Sequence, residues 1–419
     1  MDGCGRWLED PAVRDIVGLR QDVSHRMLYR AVEDIGKNMK DVLATARTSV
    51  LRRYDLPHTD VNIDSSSLSV YSKQSSLFSF GYSRDKRPDL RQVNFCIAEL
   101  RKPVNIPIHM TISPGRSPDC IQFIEMINDL SQYLDDGSTA VMDAAGEAKD
   151  ITSLIVSKGM RYLVRKKMNF SDDRQIREFD TENAVLVDPD KKVWCSKKVF
   201  SSSGRTNYLF FSKKLYEDKM RMLDSRAQKC VDEYFDVIRM REDGSLKVSR
   251  TMLRRLRNPL IYCNVNVQTR LFNGEDEMYS FVRERLSNGR EGFFKLESSA
   301  ELTEHQAYVS YRERDTVEKL VDSLKNHVDM GPLRVWSNAC VRGILTICFL
   351  AQTIVSMVRF EHTELSSMST KNIIRSLEKL TLTVIQSDRK VTSRIFSNFD
   401  HMNSLILGCK PPPVTVSGG

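Results

Sequence analysis

The order of strand-like and helix-like runs between residues 58 and 168 limits this chain's fold more than any other feature. HTDVNIDSSS, SLFSFGYS, VNFCIAEL and VNIPIHMTIS are β-branched or aromatic runs separated by polar turns, the pattern of strands. Ser117 to Leu134 then reads as a helix. Ile121, Ile124, Ile127 and Leu130 recur at helical spacing, Ser117 suits the N-cap, and Pro118 suits the first turn. TAVMD reads as a short buried strand, Glu147 to Ser157 as a helix, and MRYLVRK as a strand. Several strands followed by helix, strand, helix and strand predict an α/β fold with a mixed sheet flanked by helices. Two acids, Asp64 and Asp143, fall at strand ends in this reading. Open α/β sheets gather ligands at the carboxyl ends of their strands. An acid there can equally cap a helix or form a turn.

The 419 residues exceed one ordinary domain. Residues 1–55 read as a short helical N-terminal region with Val23, Met27, Leu28, Ala31, Val32 and Ile35 in register. Arg26, Arg30, Lys37 and Lys40 occupy other positions. Such a region is either a DNA-binding unit or a packing arm. Residues 56–168 form the first part of a core, and 169–300 read as a β-rich insertion with a helical segment. Residues 301–362 return to the core, 363–409 read as C-terminal helices, and 410–419 as a disordered tail. The apolar run GILTICFLAQTIVSMV, Gly343 to Val358, is short for a bilayer span and reads as a buried core helix, so no membrane partner is expected. Nine cysteines show neither CxxC pairs nor zinc-like spacing and, without a leader, read as reduced cytoplasmic thiols. A net charge of +8 permits a nucleic-acid partner without requiring one.

The stretch YRERDTVEKLVDSLK concentrates the chemistry. In a helix turning about 100° per residue, Tyr311, Arg314, Glu318 and Lys325 return to nearly one face. Val317, Val321, Leu324 and Val328 form a separate apolar stripe. One face thus suits a core and another suits something charged. A carboxylate can hold a metal ion, and Arg and Lys suit phosphate. The bland alternative is a solvated face with ion pairs four residues apart.

Asp64, Asp143 and Glu318 together supply the oxygen ligands that magnesium or manganese prefers. Phosphodiester chemistry uses two such cations about 3.5–4 Å apart, one on the attacking and one on the leaving oxygen. No P-loop, HExxH, GxSxG or convincing dinucleotide fingerprint competes with this assignment.

These residues resemble the DDE transposases of bacterial and archaeal insertion sequences, in particular the group with the Y-x2-R-x3-E-x6-K signature. Tyr311, Arg314, Glu318 and Lys325 match all four positions. VNIDSSSLSVYS around Asp64, FGYSRDKRPDLRQ after it and TAVMDAAGEAKDITSLIVSKGMRYLVRKK around Asp143 resemble the group's other blocks, as do GFFKLESS and VRGILTICFLA on either side of the signature. The likeness spans roughly residues 25 to 360. It departs from the group in the Asp-Ala-Ala-Gly of the second block and in a short region before Asp64. It implies a ribonuclease-H-like catalytic core with a β-rich insertion before the glutamate, and two divalent metals (Mg2+, with Mn2+ as a substitute) on Asp64, Asp143 and Glu318. It also implies DNA contacts from Tyr311, Arg314 and Lys325. The expected activity is binding of the element's terminal inverted repeats as a homodimer, cleavage by activated water, and joining of the 3′-hydroxyl to target DNA.

Lesser candidates surround this set. Arg84, Lys86, Arg87 and Arg91 form a basic turn suited to holding a DNA strand beside the metals. Arg250, Arg254, Arg255 and Arg257 form a second basic cluster. Trp194, Trp336 and Tyr208 could stack on a flipped base, although each is more often a core aromatic. His109, His305 and His401 show no paired arrangement, and Asp119 and Glu125 read as ordinary helix-surface acids. Two rival readings remain: a transposase-derived DNA-binding protein that no longer cuts, and a ribonuclease-H-like nuclease acting on other structures.

Overall fold

A computed structural model describes residues 2–408 apart from 104, 201–203, 246–271, 273, 329, 332, 334, 336 and 388–389. The chain divides into two compact units, one built from 1–164 with 310–419 and the other from 165–309.

The first unit begins with helices α1 (Asp2–Glu9), α2 (Pro11–Ile16), α3 (His25–Lys37) and α4 (Met39–Arg53). Next come strands β1 (Val61–Val70), β2 (Arg91–Leu100) and β3 (Ile106–Pro114), helix α5 (Asp119–Leu130) and strand β4 (Thr139–Met142). Helix α6 (Lys149–Ser157) and strand β5 (Arg161–Lys166) follow, and the strands named so far run in the order β3-β2-β1-β4-β5. The pairs β1–β2 and β2–β3 are antiparallel, whereas β1–β4 and β4–β5 are parallel. The α/β class with a mixed sheet is therefore observed.

The alternation of β1 and β2 splits the core. Val61 and Ile63 join Phe123, Met126, Ile127 and Ile155 of α5 and α6. Leu68 and Val70 join Val32 of α3, Leu43 of α4 and the residues of two later helices, Asp315–Asn326 and Asn338–Glu361. The second of these is long and apolar enough to cross a membrane, longer than the run read from the sequence. Here it is a core helix. Cys340, Val341, Leu345 and Phe349 are buried against the sheet and the N-terminal helices. Its approach to α3 is very close: a Cβ on Gly343 would stand 2.0 Å from the Val32 carbonyl oxygen, and one on Gly36 1.7 Å from that of Ala339. Only glycine permits this crossing. Of the two alternatives for the N-terminal region, α3 and α4 are thus packed into the core as an arm.

Three sequence expectations fail locally. SLFSFGYS is a loop with only an isolated bridge, Ser79 to Gln92, because its apolar residues Leu77 and Phe78 turn into the core instead of alternating. Pro118, not Ser117, stands at the N-cap of α5. The region 363–409 is not all helical: between helices Thr370–Glu378 and His401–Leu407 lies an antiparallel hairpin, β10 (Thr381–Ser387) with β11 (Lys390–Ser397). The tail 410–419 lies outside the described residues.

The second unit contains helix α7 (Asp173–Arg177), strands β6 (Val185–Asp188), β7 (Val193–Phe200), β8 (Arg205–Ser212) and β9 (Phe293–Ser298), and the long helix α8 (Lys213–Glu242). Its strands run β9-β8-β7-β6 with antiparallel pairing throughout. Helix Glu275–Leu286 packs on α8 through Met278 and Val282 against Val231, Tyr234 and Ile238.

Candidate active site

Register brings the first two acids together. β1 pairs in parallel with β4 only at Val61↔Ala140, Asn62↔Val141 and Ile63↔Met142. The next residue on each strand is Asp64 and Asp143. Asp64 lies inside β1 rather than at its end, because β1 continues to Val70 in its hairpin with β2 and stays opposite Ile97. Asp143 leaves β4 and caps a 3-10 turn, Ala144–Glu147, its Oδ1 accepting from the Ala145 N–H at 2.8 Å. The capping reading of Asp143 is thus observed, and the residue follows the last parallel pair of β4 with β1 as Asp64 does on β1.

The third acid arrives on the helix Asp315–Asn326, here called the Glu318 helix. Val317, Leu320, Val321 and Leu324 bury its apolar stripe, at about 1.5–3 kcal/mol each. Non-directional burial does not set where along β1 the helix sits, whereas hydrogen bonds do. The Thr316 hydroxyl donates to Glu99 Oε2 at 2.7 Å, and Asn62 Nδ2 donates to the Glu313 carbonyl and to Thr316 Oγ1, each at 3.2 Å. Arg101 Nη2, nearly buried, pairs with Glu313 Oε2 at 2.6 Å. At the helix's other end Lys325 Nζ pairs with Asp85 Oδ1 at 2.7 Å, and Asp85 Oδ2 accepts from the N–H and hydroxyl of Ser69, each at 3.1 Å. The helix is thus tied to Asn62 at its start and, through Asp85, to Ser69 at its end, along the strand that carries Asp64.

Arg314 sits at the centre. It is the junction between helix Glu304–Glu313 and the Glu318 helix, so the signature spans two helices and not the single one read from the sequence. At this break Thr316 Oγ1 also lies 2.7 Å from the Glu313 carbonyl oxygen, the alternative acceptor for its single hydroxyl proton. Arg314 keeps αR geometry, so its pairing with Glu318 one turn on survives. Its Nη1 lies 3.7 Å from Asp64 Oδ1, and its Cζ 5.5 Å from the Tyr311 ring centroid. Burial alone would lower the Arg314 pKa, but Tyr311, Glu318, Asp64 and Asp143 together hold it above the ordinary value. Asp64 is pushed up to about 6, first by burial and further by Asp143 and Glu318, against the pull of Arg314 and Arg84. Glu99 is pushed up to about 7 by burial, opposed by its bonds to Thr316 and Asn62. A raised carboxylate among other carboxylates marks a site short of positive charge.

The donor set is right for a hard divalent cation. Among the described residues, however, no group of three His, Cys, Asp or Glu side chains is arranged to hold a metal ion. The Arg314 guanidinium instead engages Asp64 and Glu318 at the same time. Glu318 itself is 50% exposed.

The basic turn is more neutral than its sequence suggests. Arg84 pairs with Asp119 at 3.0 Å, so Asp119 is not an idle surface acid. Arg87 grips both oxygens of Asp89 at 2.9 and 2.8 Å, and Arg91 donates to the Phe78 carbonyl at 3.1 Å. Lys86 is exposed, with φ of 56°. Of the stacking candidates, Tyr208 is buried with its hydroxyl bonded to both backbone groups of Leu302, and Trp194 stacks on Phe211. Trp336 and the Arg250, Arg254, Arg255 and Arg257 cluster lie outside the described residues. His109 is buried and bonded to Asp129 at 3.0 Å. Sequence reasoning missed Asn62, Glu99 and Thr316. The nearest signal is the polar Asn62 two residues before Asp64 in an otherwise apolar strand start.

No family model matches this chain, and no curated protein is significantly similar to it.

Proposed function

We propose that this chain is a metal-dependent enzyme that cleaves DNA and joins its ends in the manner of a DDE transposase. The reading is supported by Asp64 and Asp143 each following the last parallel pair of β1 and β4, and by Arg314, which lies against Asp64 and pairs with Glu318. The strand order β3-β2-β1-β4-β5, with its change from antiparallel to parallel at β1, supports a ribonuclease-H-like core. Asp64, Asp143 and Glu318 would hold Mg2+ or Mn2+. When bound, such ions activate the attacking oxygen and stabilise the leaving one. The protein's own part is to supply three carboxylates from two adjacent strands and one pinned helix, and positive charge from Arg314 and Lys325 for DNA phosphates. Pairing two element ends would call for a homodimer on DNA.

The test uses the full chain and labelled DNA carrying the inverted repeats that flank the coding sequence. Cleavage in Mg2+ is expected, with loss on Asp64→Ala, Asp143→Ala or Glu318→Ala while binding persists. Normal cutting by any of the three removes that residue from the site. A second reading, binding without cutting, is favoured by the guanidinium that already neutralises two of the acids. Tight binding in Mg2+ and in Mn2+ with no product would select it.

A further inference from the structure

The loop joining β1 to β2 displays three aromatic side chains to solvent: Tyr71 at 67% exposure, Phe80 at 59% and Tyr82 at 83%. Exposed large aromatics are costly to leave bare, and several in one loop mark a contact surface. These are also held in place. Phe80 and Tyr82 flank Gly81, whose absent side chain lets the loop lie against Gly115; a Cβ there would stand 1.9 Å from the Gly115 carbonyl oxygen. The preceding Ser79 exchanges both backbone hydrogen bonds with Gln92, and its hydroxyl accepts from the Arg116 N–H at 2.8 Å. The segment is bolted to the sheet, and its rings project outward.

Two of the rings lie against cations. The Arg91 guanidinium is 5.3 Å from the Phe80 ring centroid, and Arg91 faces Val70, the residue before Tyr71, across the β1–β2 ladder. The Tyr71 phenol is a partner of Arg87, whose guanidinium also grips Asp89. Tyr82 precedes Arg84 and the exposed Lys86 by a few residues. The same loop reaches the acidic site: the Arg84 N–H donates to Ser67 of β1 at 3.2 Å, and Arg84 acts electrostatically on Asp64. From Asp64 to the end of β1 is about 20 Å at 3.3 Å per residue.

Aromatic faces interleaved with Arg and Lys bind single strands, because rings stack on bases while cations follow the phosphates. Bases within a duplex already stack on one another and leave no free face. We propose that Tyr71, Phe80 and Tyr82 form a stacking platform for unpaired bases, so that the DNA taken by this chain is single-stranded a short distance from the acids. This rests on the DNA-cleaving reading above and narrows its substrate class.

The experiment measures binding of the full chain in EDTA, which prevents cleavage, by fluorescence anisotropy. The probes are a labelled 20-residue thymidine oligonucleotide, an abasic strand of the same length, and a duplex. Preference for thymidine over the abasic strand is expected at about tenfold or more, since each stacked base adds that order of affinity. Tyr82→Leu and Phe80→Leu should lose most of that preference and Tyr82→Trp should keep it, with abasic binding unchanged throughout. Equal binding of the thymidine and abasic strands, or a Tyr71→Leu/Phe80→Leu/Tyr82→Leu triple variant that still discriminates, overturns the platform. Equal binding alongside normal Mg2+-dependent cutting removes the platform and leaves the enzyme reading standing. Binding of none of the three probes also removes the platform, and the enzyme reading then stands or falls on cleavage of the end-bearing DNA. Circular dichroism melts of each variant verify folding.

Discussion

The two compact units treat charge in opposite ways. In the second unit charges are matched. Lys295 meets buried Asp172 at 2.6 Å, Arg290 holds both oxygens of Asp173 at 2.7 and 3.1 Å, and Lys197 meets Glu301 at 2.8 Å. In the first unit Asp64 ionises reluctantly, first because it is buried and further because Asp143 and Glu318 act on it, although Arg314 and Arg84 oppose the shift. Matched charges stabilise a fold, whereas unmatched ones are tolerated where something must bind. The difference is the reason the proposed function is placed in the first unit.

The sharpest test of that contrast is Asp143→Ala. Cleavage should fall more than about a thousandfold, read by product formation on end-bearing DNA in Mg2+. An unaffected rate would mean that the action of Asp143 on Asp64 has no catalytic meaning. Next in size is Lys295→Met in the second unit. It strands the buried Asp172 carboxylate and should cost about 3–5 kcal/mol in urea unfolding. A neutral result would show that the matched pair contributes nothing.

The third prediction has the opposite sign. The Asp64 pKa is about 6 in the fold against about 3.9 in an unfolded chain, so the fold holds this proton more tightly. The group's favourable contribution is present below about pH 4 and is lost as pH rises through about 6. Without divalent metal, Asp64→Asn should therefore stabilise the protein by about 1–3 kcal/mol above about pH 7, and hardly at all near pH 4. Melts at the two pH values check it, and equal shifts at both would deny the electrostatic cause. A smaller effect is expected from Thr316→Val. It removes the hydroxyl bonded to Glu99, should cost about 1 kcal/mol, and should lower cleavage more than this stability loss accounts for. The smallest is Arg174→Ala, which breaks an exposed pair with Glu178 and should leave the melting midpoint unchanged.

Much of the architecture was legible from residue order. The runs at VNFCIAEL, VNIPIHMTIS and TAVMD became β2, β3 and β4, and the Val317, Val321 and Leu324 stripe is buried as its spacing required. SLFSFGYS misled because its aromatics do not share one fate. Phe78 is buried, while Phe80 is exposed under Arg91 and Tyr82 is exposed, and alternation alone cannot distinguish a strand from a pinned loop. The arginines misled too, because the carboxylates that satisfy them differ in sequence distance. Asp89 is two residues from Arg87, but Asp119 is 35 from Arg84.

By itself the sequence determined the strand and helix order from β2 to β5 and which face of the Glu318 helix is apolar, since these follow from side-chain periodicity along a local stretch of chain. Only the tertiary structure decided that Asp64 lies level with Asp143, that one guanidinium serves two carboxylates, and that Lys325 reaches Ser69 through Asp85. Those facts depend on strand register and on hydrogen bonds between residues as many as 240 positions apart, which no local pattern encodes.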